Sequence, residues 1–136
     1  MAGVIVLDTG AVLALAARPA REATRRVHVA LSGARRRGAL VRVPPAVLAE
    51  VYRGGRQDAD VDQAVDRAGR VVTTGRRMSR LAGGLLASNA LDSCHEVDAL
   101  VVATVVAMGG GIVVTGDPDD LNLLAAPWPH VQIWAL

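Results

Sequence analysis

Short runs of β-branched residues recur along the chain, and longer segments with helical character separate them. The apolar runs predict strands over 4–7, 41–43, 71–73, 112–115 and 131–134. The segments between them predict helices over 11–17, 22–37, 46–52, 60–68, 77–90, 99–108 and 121–126. Strands that alternate with helices, and that are apolar on both faces, are typical of a parallel sheet covered by helices. The sequence therefore predicts an α/β fold.

Proline and glycine mark three further points in this pattern. Pro45 suits the first turn of the helix predicted from residue 46, and Gly109 suits the end of the helix predicted to finish at residue 108. Gly83 and Gly84 lie inside another predicted helix, where each costs roughly 1 kcal/mol relative to alanine. Either a close helix contact or a break in the helix would explain this glycine pair.

The length of the chain bounds its organisation. A chain of 136 residues can bury one core and is short for two, so we expect a single domain over residues 1–136. Cys94 is the only cysteine, which excludes an internal disulfide and favours a reducing compartment such as the cytoplasm. The apolar start is interrupted early by Asp8, so it is a poor signal peptide.

One uncharged stretch, residues 99–116, is almost long enough to cross a membrane. Three glycines at 109–111 divide it into a helix-sized piece and a strand-sized piece. We therefore expect this stretch to lie in a soluble core, without contact with a membrane.

The basic residues restrict the possible chemistry. All fifteen are arginine, so a phosphate-binding loop that depends on lysine and a Schiff-base mechanism are both excluded. No GxGxxG motif follows the first predicted strand, which argues against a dinucleotide site. With two Trp, one Tyr and no Phe, the chain also lacks the aromatic rows on which single-stranded nucleic acids stack.

Four carboxylates stand at the ends of apolar segments or inside them. Asp8 follows the first predicted strand, Asp117 follows the strand that ends at Thr115, and Glu50 and Asp98 lie among apolar neighbours. Ligands bind beyond the carboxyl ends of parallel strands, where the strand order reverses. Carboxylates placed together there would suit Mg²⁺ or Mn²⁺, whereas the three histidines are scattered singles without zinc spacing.

Each carboxylate also has a structural explanation. Asp8 and Asp98 are suitable N-caps for the helices that follow them. Glu50 is three residues from Arg53, a spacing that allows an ion pair on a helix. The cluster at 117–120 is compatible with an ordinary turn that leads into a helix. A metal site would account for all four carboxylates together.

Four segments in order resemble the PIN domain, and most closely the VapC toxins of bacterial VapBC toxin-antitoxin modules. They are LDTGAVLAL, PPAVLAEVYR, EVDALVVATVVAMGGGIVVTGDPDDL and the closing VQIWAL, and the likeness spans essentially the whole chain. The resemblance implies a three-layer α/β/α sandwich on a mostly parallel five-stranded sheet. It also implies a ribonuclease that depends on Mg²⁺ or Mn²⁺, a cytoplasmic homodimer and a cognate antitoxin.

The resemblance carries functional roles onto particular residues. Asp8, Glu50, Asp98 and Asp117 match the family's catalytic and metal-binding acids. Asp120 matches a further acid of the family, although Asp119 makes the assignment within this cluster ambiguous. Thr9 and Thr115 match hydroxyl positions that orient the ligands. The resemblance leaves the RNA target, the cleavage position, the antitoxin and the preferred metal open.

The path of the RNA is the least constrained part of this prediction. The candidate contacts are two arginine groups, Arg35, Arg36 and Arg37, and Arg76, Arg77 and Arg80. Both groups also fit solvated helix ends. As RNA contacts they would attract phosphate without sequence preference, and the attraction would weaken with salt. Two other functions remain open: a PIN-like binding or dimerisation module without activity, and a PIN nuclease outside a toxin-antitoxin system.

Overall fold

The computed structural model describes residues 3–136, which form five strands, seven α-helices and one 3₁₀ turn. The strands are β1 (Val4–Leu7), β2 (Leu40–Val43), β3 (Arg70–Val71), β4 (Gly111–Thr115) and β5 (Val131–Ala135). The helices are α1 (Thr9–Ala16), α2 (Glu22–Arg36), α3 (Pro45–Val51), α4 (Gln57–Ala68), α5 (Arg76–Ser88), α6 (Glu96–Ala107) and α7 (Pro118–Ala125). The 3₁₀ turn, Ser93–His95, leads directly into α6.

All five strands are parallel and are arranged in the order β3-β2-β1-β4-β5. The chain moves from β1 to β2 and β3 on one side, and then crosses to β4 and β5 on the other. The strand order therefore reverses between β1 and β4, and a parallel sheet leaves a crevice at the carboxyl ends of such a strand pair. The predicted α/β fold with a parallel sheet is confirmed.

Helices cover the sheet in two layers. Helix α6 packs against β1, β4 and β5 and is flanked by α5 and α7, whereas α1 packs with α2 and α4. All four side chains of β1 are buried, and so are six residues of α6. Because α6 lies between the sheet and other helices, it is apolar on nearly every side. The result is a three-layer α/β/α sandwich with a core of valine, leucine and alanine.

The element boundaries differ from the sequence prediction mainly at helix starts. Helices α4, α6 and α7 each begin three residues earlier than predicted, because their first turns are polar and carry no apolar repeat. Pro45 occupies the first turn of α3, and Gly109, with φ +92°, follows the end of α6, as predicted. Strand β3 is shorter and begins at Arg70; after Val71 only one further backbone bond, from Val72 to Val43, continues the pairing.

Neither explanation for the glycine pair in α5 holds. The helix continues through Gly83 and Gly84, and a Cβ added at either position would meet no atom within 4 Å. Both glycines lie on the exposed side of the helix. The structure gives no packing reason for them.

Within residues 3–136, no helix is both long enough and apolar enough to span a membrane. The uncharged stretch is divided as expected, into the buried helix α6 and the strand β4.

Candidate metal centre

Two of the four candidate carboxylates, Asp8 and Asp117, lie where the strand order reverses. Asp8 directly follows β1, and Asp117 follows β4, the neighbouring strand. The backbone N–H of Asp8 donates to the carbonyl of Val114 at 3.0 Å, which continues the pairing of the two strands up to the site. The position predicted for these two acids, at the carboxyl edge of the sheet, is therefore confirmed.

Asp8 is held by hydrogen bonds on both of its carboxylate oxygens. Its Oδ1 accepts from the backbone N–H of Thr9 at 2.6 Å, and its Oδ2 accepts from the Thr115 hydroxyl at 2.7 Å. Asp8 is also the N-cap of α1, so the capping explanation is correct as well. Each oxygen keeps a lone pair, and the cap therefore leaves Asp8 able to bind a cation.

Thr115 connects the two acids. Its hydroxyl accepts from the backbone N–H of Asp117 at 2.9 Å while it donates to Asp8. The side chain of Asp117 caps no N–H of α7 and is exposed to solvent. Thr115 therefore orients Asp8 and fixes the backbone of Asp117.

Glu50 reaches the site from the last turn of α3. Its Oε1 accepts from the hydroxyl of Thr9 at 2.6 Å, which connects it to the residue after Asp8. The predicted alternative, an ion pair with Arg53, is wrong, because α3 ends at Val51 and the guanidinium of Arg53 turns to the carbonyl of Tyr52. The tertiary contact between α1 and α3 thus determines the direction of Glu50.

Asp98 lies in the first turn of α6 and does not cap the helix. The helix begins at Glu96 with His95 as its N-cap, so the capping explanation for Asp98 is wrong. Burial, followed by the nearby charges of Asp8, Asp120 and Glu50, raises the pKa of Asp98 to about 6. The carboxylates therefore lie close enough to oppose one another's ionisation.

Burial and neighbouring carboxylates also raise the pKa of Asp8. It is only 6% exposed, and burial raises its pKa above the ordinary range, although the hydrogen bonds from Thr115 and Thr9 oppose the shift. The charges of Glu50 and Asp117 raise the pKa further. A buried carboxylate among other carboxylates is unfavourable unless a cation balances it.

The ambiguity between Asp119 and Asp120 has a geometric answer. Asp120 is half-buried, one of its oxygens lies 3.3 Å from His95 Nδ1, and its charge acts on Asp98. Asp119 is exposed and has no hydrogen bond or ion pair among the described residues. Consecutive helical residues point about 100° apart, so only one of them can face the site.

His95 is a potential ligand that the sequence analysis did not select. It lies in the 3₁₀ turn before α6, where the carbonyl of Asp92 accepts from its backbone N–H at 3.2 Å. One nitrogen of His95 and one oxygen each of Asp98 and Asp120 lie within 4.8 Å of one another. The spacing of His95 to Asp98 was visible in the sequence, but only the packing of α6 against α7 brings Asp120 to them.

A close backbone contact holds the two turns of the site together. Gly10, in the first turn of α1, lies so near Gly116, in the turn after β4, that a Cβ on Gly10 would sit 2.9 Å from the Gly116 nitrogen. A Cβ on Gly116 would meet Gly10 only at 3.7 Å, an ordinary contact. The separation of Asp8 and Asp117 therefore depends on glycine at position 10.

The two arginine groups lie in different places. Arg36 and Arg37 line a groove beside Ile5 and Ile112, and Arg37 also borders the amino ends of β1 and β4, opposite the acids. Arg35 donates to the carbonyl of Arg67. The second group, Arg76, Arg77 and Arg80, is exposed in the first turns of α5, which begins shortly after the carboxyl end of β3. Arg36 and Arg37 cannot contact a phosphodiester that is bound at the acids. Their contact with RNA stays a prediction, and it applies only to parts of the RNA that are distant from the acids.

Replacement of Asp98 by asparagine should change how stability depends on pH. The pKa of Asp98 in the folded protein is about 6, above the ordinary 3.8. The protonated carboxyl therefore stabilises the fold at low pH, and this contribution is lost as pH rises through about 6. Without divalent cations, we expect the wild type to lose on the order of 1 kcal/mol relative to Asp98→Asn between pH 4 and pH 7, after allowance for solvent screening.

Urea denaturation of both proteins at several pH values, in the presence of a chelator, measures this difference. Parallel stability curves for the two proteins would show that Asp98 is not destabilised by its surroundings. Mn²⁺ added at pH 7 should raise the stability of the wild type more than that of the variant.

The fold matches a solved structure over nearly its whole length. The chain is similar to a chain in the crystal structure of VapBC2 from Rickettsia felis bound to a DNA fragment from their promoter, with a TM-score of 0.66. The alignment covers 98% of each chain at 13% sequence identity. No model of a known protein family matches the sequence, and no curated protein matches it. At this identity the likeness establishes the fold, which is PIN-like.

Proposed function

We propose that the protein is a metal-dependent endoribonuclease of the VapC kind. The observation that carries the proposal is the convergence of five carboxylates, from four separate segments, where the strand order reverses. They are Asp8, Glu50, Asp98, Asp117 and Asp120. The fold shared with a chain of the VapBC2 structure supports the same assignment.

The donor set fits Mg²⁺ or Mn²⁺. Hard carboxylate oxygens dominate it, and burial together with the repulsion among the carboxylates raises the pKa values of Asp8 and Asp98. Among the described residues, no arginine forms an ion pair with any of the five carboxylates. A divalent cation held here would polarise a phosphodiester and lower the pKa of an attacking water.

The residues of the chain have distinct roles in this proposal. Asp8, Asp98 and Asp117 hold the cation, and Asp8 is fixed for this by its hydrogen bonds from Thr9 and Thr115. Glu50 is exposed and is positioned by Thr9, so it can bind the cation or accept a proton from the attacking water. Asp120 completes the site from α7.

A comparison of Asp120→Asn with Asp119→Asn tests this arrangement. The substrate is a randomised single-stranded RNA library with Mn²⁺, and a chelator control and a DNA library of the same length accompany it. We expect Asp120→Asn to lower the cleavage rate at least about tenfold, because loss of groups that support a metal ligand costs 10- to 100-fold. Asp119→Asn should cleave like the wild type, and the chelator should abolish cleavage.

Equal activity of Asp120→Asn and the wild type would remove Asp120 from the site. Cleavage that persists in chelator would contradict metal dependence altogether. Cleavage of the DNA library at the same rate would contradict a preference for RNA as the substrate.

The toxin assignment includes partners. We infer a cognate antitoxin and a homodimer from the resemblance to VapC toxins, and the VapBC2 crystal structure supports the antitoxin. Expression of the wild type in a bacterial host should arrest growth, and Asp8→Asn should not. Active protein without growth arrest would favour a PIN nuclease outside a toxin-antitoxin system.

A non-catalytic binding module is the second candidate function. The groove between α2 and the sheet favours it, because Val29 and Trp134 expose apolar surface there. The convergent carboxylates argue against it, since a binding module has no need of them. Absence of Mg²⁺ and Mn²⁺ binding at millimolar concentrations would favour the module.

A further inference from the structure

The carboxylate site contains one nitrogen ligand that neither the sequence patterns nor the resemblance assigned. His95 Nδ1 lies 3.3 Å from Asp120 Oδ2, and both lie within 4.8 Å of an oxygen of Asp98. The three residues come from the 3₁₀ turn, α6 and α7. They form a cluster beside Asp8 and Glu50, whose charges also act on Asp98.

The distance between His95 Nδ1 and Asp120 Oδ2 suits two ligands of a shared cation. Charged N–H···O hydrogen bonds are usually about 2.7–2.9 Å long, shorter than the 3.3 Å seen here. Two ligands at about 2.1 Å from one octahedral ion are about 3 Å apart when adjacent and about 4.2 Å apart when opposite. The 3.3 Å between His95 Nδ1 and Asp120 Oδ2 is close to the spacing of adjacent ligands, and an oxygen of Asp98 lies within 4.8 Å of both atoms.

The backbone that carries His95 is held in place. The carboxylate of Asp92 accepts from the backbone N–H of Cys94 at 2.9 Å, and the Asp92 carbonyl accepts from that of His95, which fixes the turn. The side chain of His95 is only 28% exposed, although it lies at the start of a helix. A histidine whose backbone is fixed and whose ring nitrogen lies near two carboxylates is well placed as a ligand.

We propose that His95, Asp98 and Asp120 form a cation subsite that prefers a transition-metal ion to Mg²⁺. Imidazole nitrogen is a softer ligand than carboxylate oxygen and suits transition metals, whereas Mg²⁺ binds oxygen ligands almost exclusively. The subsite shares Asp98 and Asp120 with the proposed nuclease site, so this inference deepens the proposed function and rests on it for its role in cleavage.

Mn²⁺ tests the proposal without RNA. Mn²⁺ bound to the wild type should show ¹⁴N coupling in electron spin-echo spectra, and His95→Gln should abolish the coupling. Competition titrations, followed by the spectrum of free Mn²⁺, should show that the variant loses about tenfold or more of the preference for Mn²⁺ over Mg²⁺. Mg²⁺ affinity alone should change less than about twofold, because Mg²⁺ has little use for the nitrogen.

Two control variants identify the source of any effect. His28→Gln removes an exposed histidine that is not part of the cluster, and Cys94→Ser removes the exposed thiol next to His95. Both should keep the ¹⁴N coupling and the metal preference. Absence of ¹⁴N coupling in the wild type, or its persistence in His95→Gln, would overturn the proposal.

Cleavage measured separately distinguishes the two proposals. Nitrogen-coupled Mn²⁺ in a protein that cleaves no RNA would support the subsite and contradict the nuclease. RNA cleavage by a protein without nitrogen coupling would support the nuclease and contradict the subsite. Thermal unfolding of each variant in chelator establishes that it is folded before metal is added.

Discussion

Replacement of Asp8 by asparagine should abolish Mn²⁺-dependent RNA cleavage while the protein stays folded. Asp8 is the most buried of the five acids and the one whose two oxygens are both oriented by neighbours. Because loss of groups that merely support a ligand costs 10- to 100-fold, loss of this ligand should lower the rate by more than about 100-fold. Cleavage of the RNA library under single-turnover conditions measures the effect.

The same variant should be more stable than the wild type in the absence of metal. Asparagine removes a buried charge that lies among Glu50, Asp98 and Asp117, and its amide oxygen can still accept from Thr9. We expect an increase on the order of 1 kcal/mol in the free energy of unfolding, or roughly 3 °C in Tm. Full cleavage activity in a folded Asp8→Asn variant would refute the site.

Replacement of Gly10 by alanine should disrupt the site without touching any proposed ligand. The added Cβ would sit 2.9 Å from the backbone nitrogen of Gly116, so the first turn of α1 and the turn after β4 must move apart. We expect destabilisation by about 1–2 kcal/mol. Because a ligand misplaced by about 1 Å can cost about 100-fold in rate, we also expect a large loss of cleavage and weaker Mn²⁺ binding.

Gly116→Ala is the matched control for this prediction. Its Cβ would lie 3.7 Å from Gly10, and its backbone is not in the left-handed region, so the change should be nearly neutral for stability and cleavage. Thermal unfolding, Mn²⁺ titration and cleavage on both variants provide the comparison. Equal loss in the two variants would show that the turns tolerate no side chain at all, and that the close contact is not the cause.

Most of the fold follows from local patterns that the sequence displays. Buried parallel strands such as Val4–Leu7 are continuous apolar runs, and α2 carries a clear helical repeat. The sequence prediction left out the start of the short strand Arg70–Val71 and the first turns of α4, α6 and α7. Polar residues there carry no periodic signal. These errors moved boundaries and left the architecture unchanged.

The candidate site was predictable in part. Asp8 and Asp117 follow strands, so a parallel sheet brings them to one edge whatever the details of the helices. Glu50 was ambiguous because its partner depends on whether α3 extends to Arg53, and the structure ends the helix at Val51. The place of Asp98 within α6 depended on where that helix begins.

The sequence by itself determined the alternation of strands and helices, the parallel sheet and the edge of the sheet at which Asp8 and Asp117 lie. These features are local, because side-chain periodicity and chain direction set them. Only the tertiary structure decided which acids lie near one another and that His95 lies beside Asp98 and Asp120. Those choices depend on the packing of α6 against α7 and on the contact between Gly10 and Gly116, which join residues that are distant in the sequence.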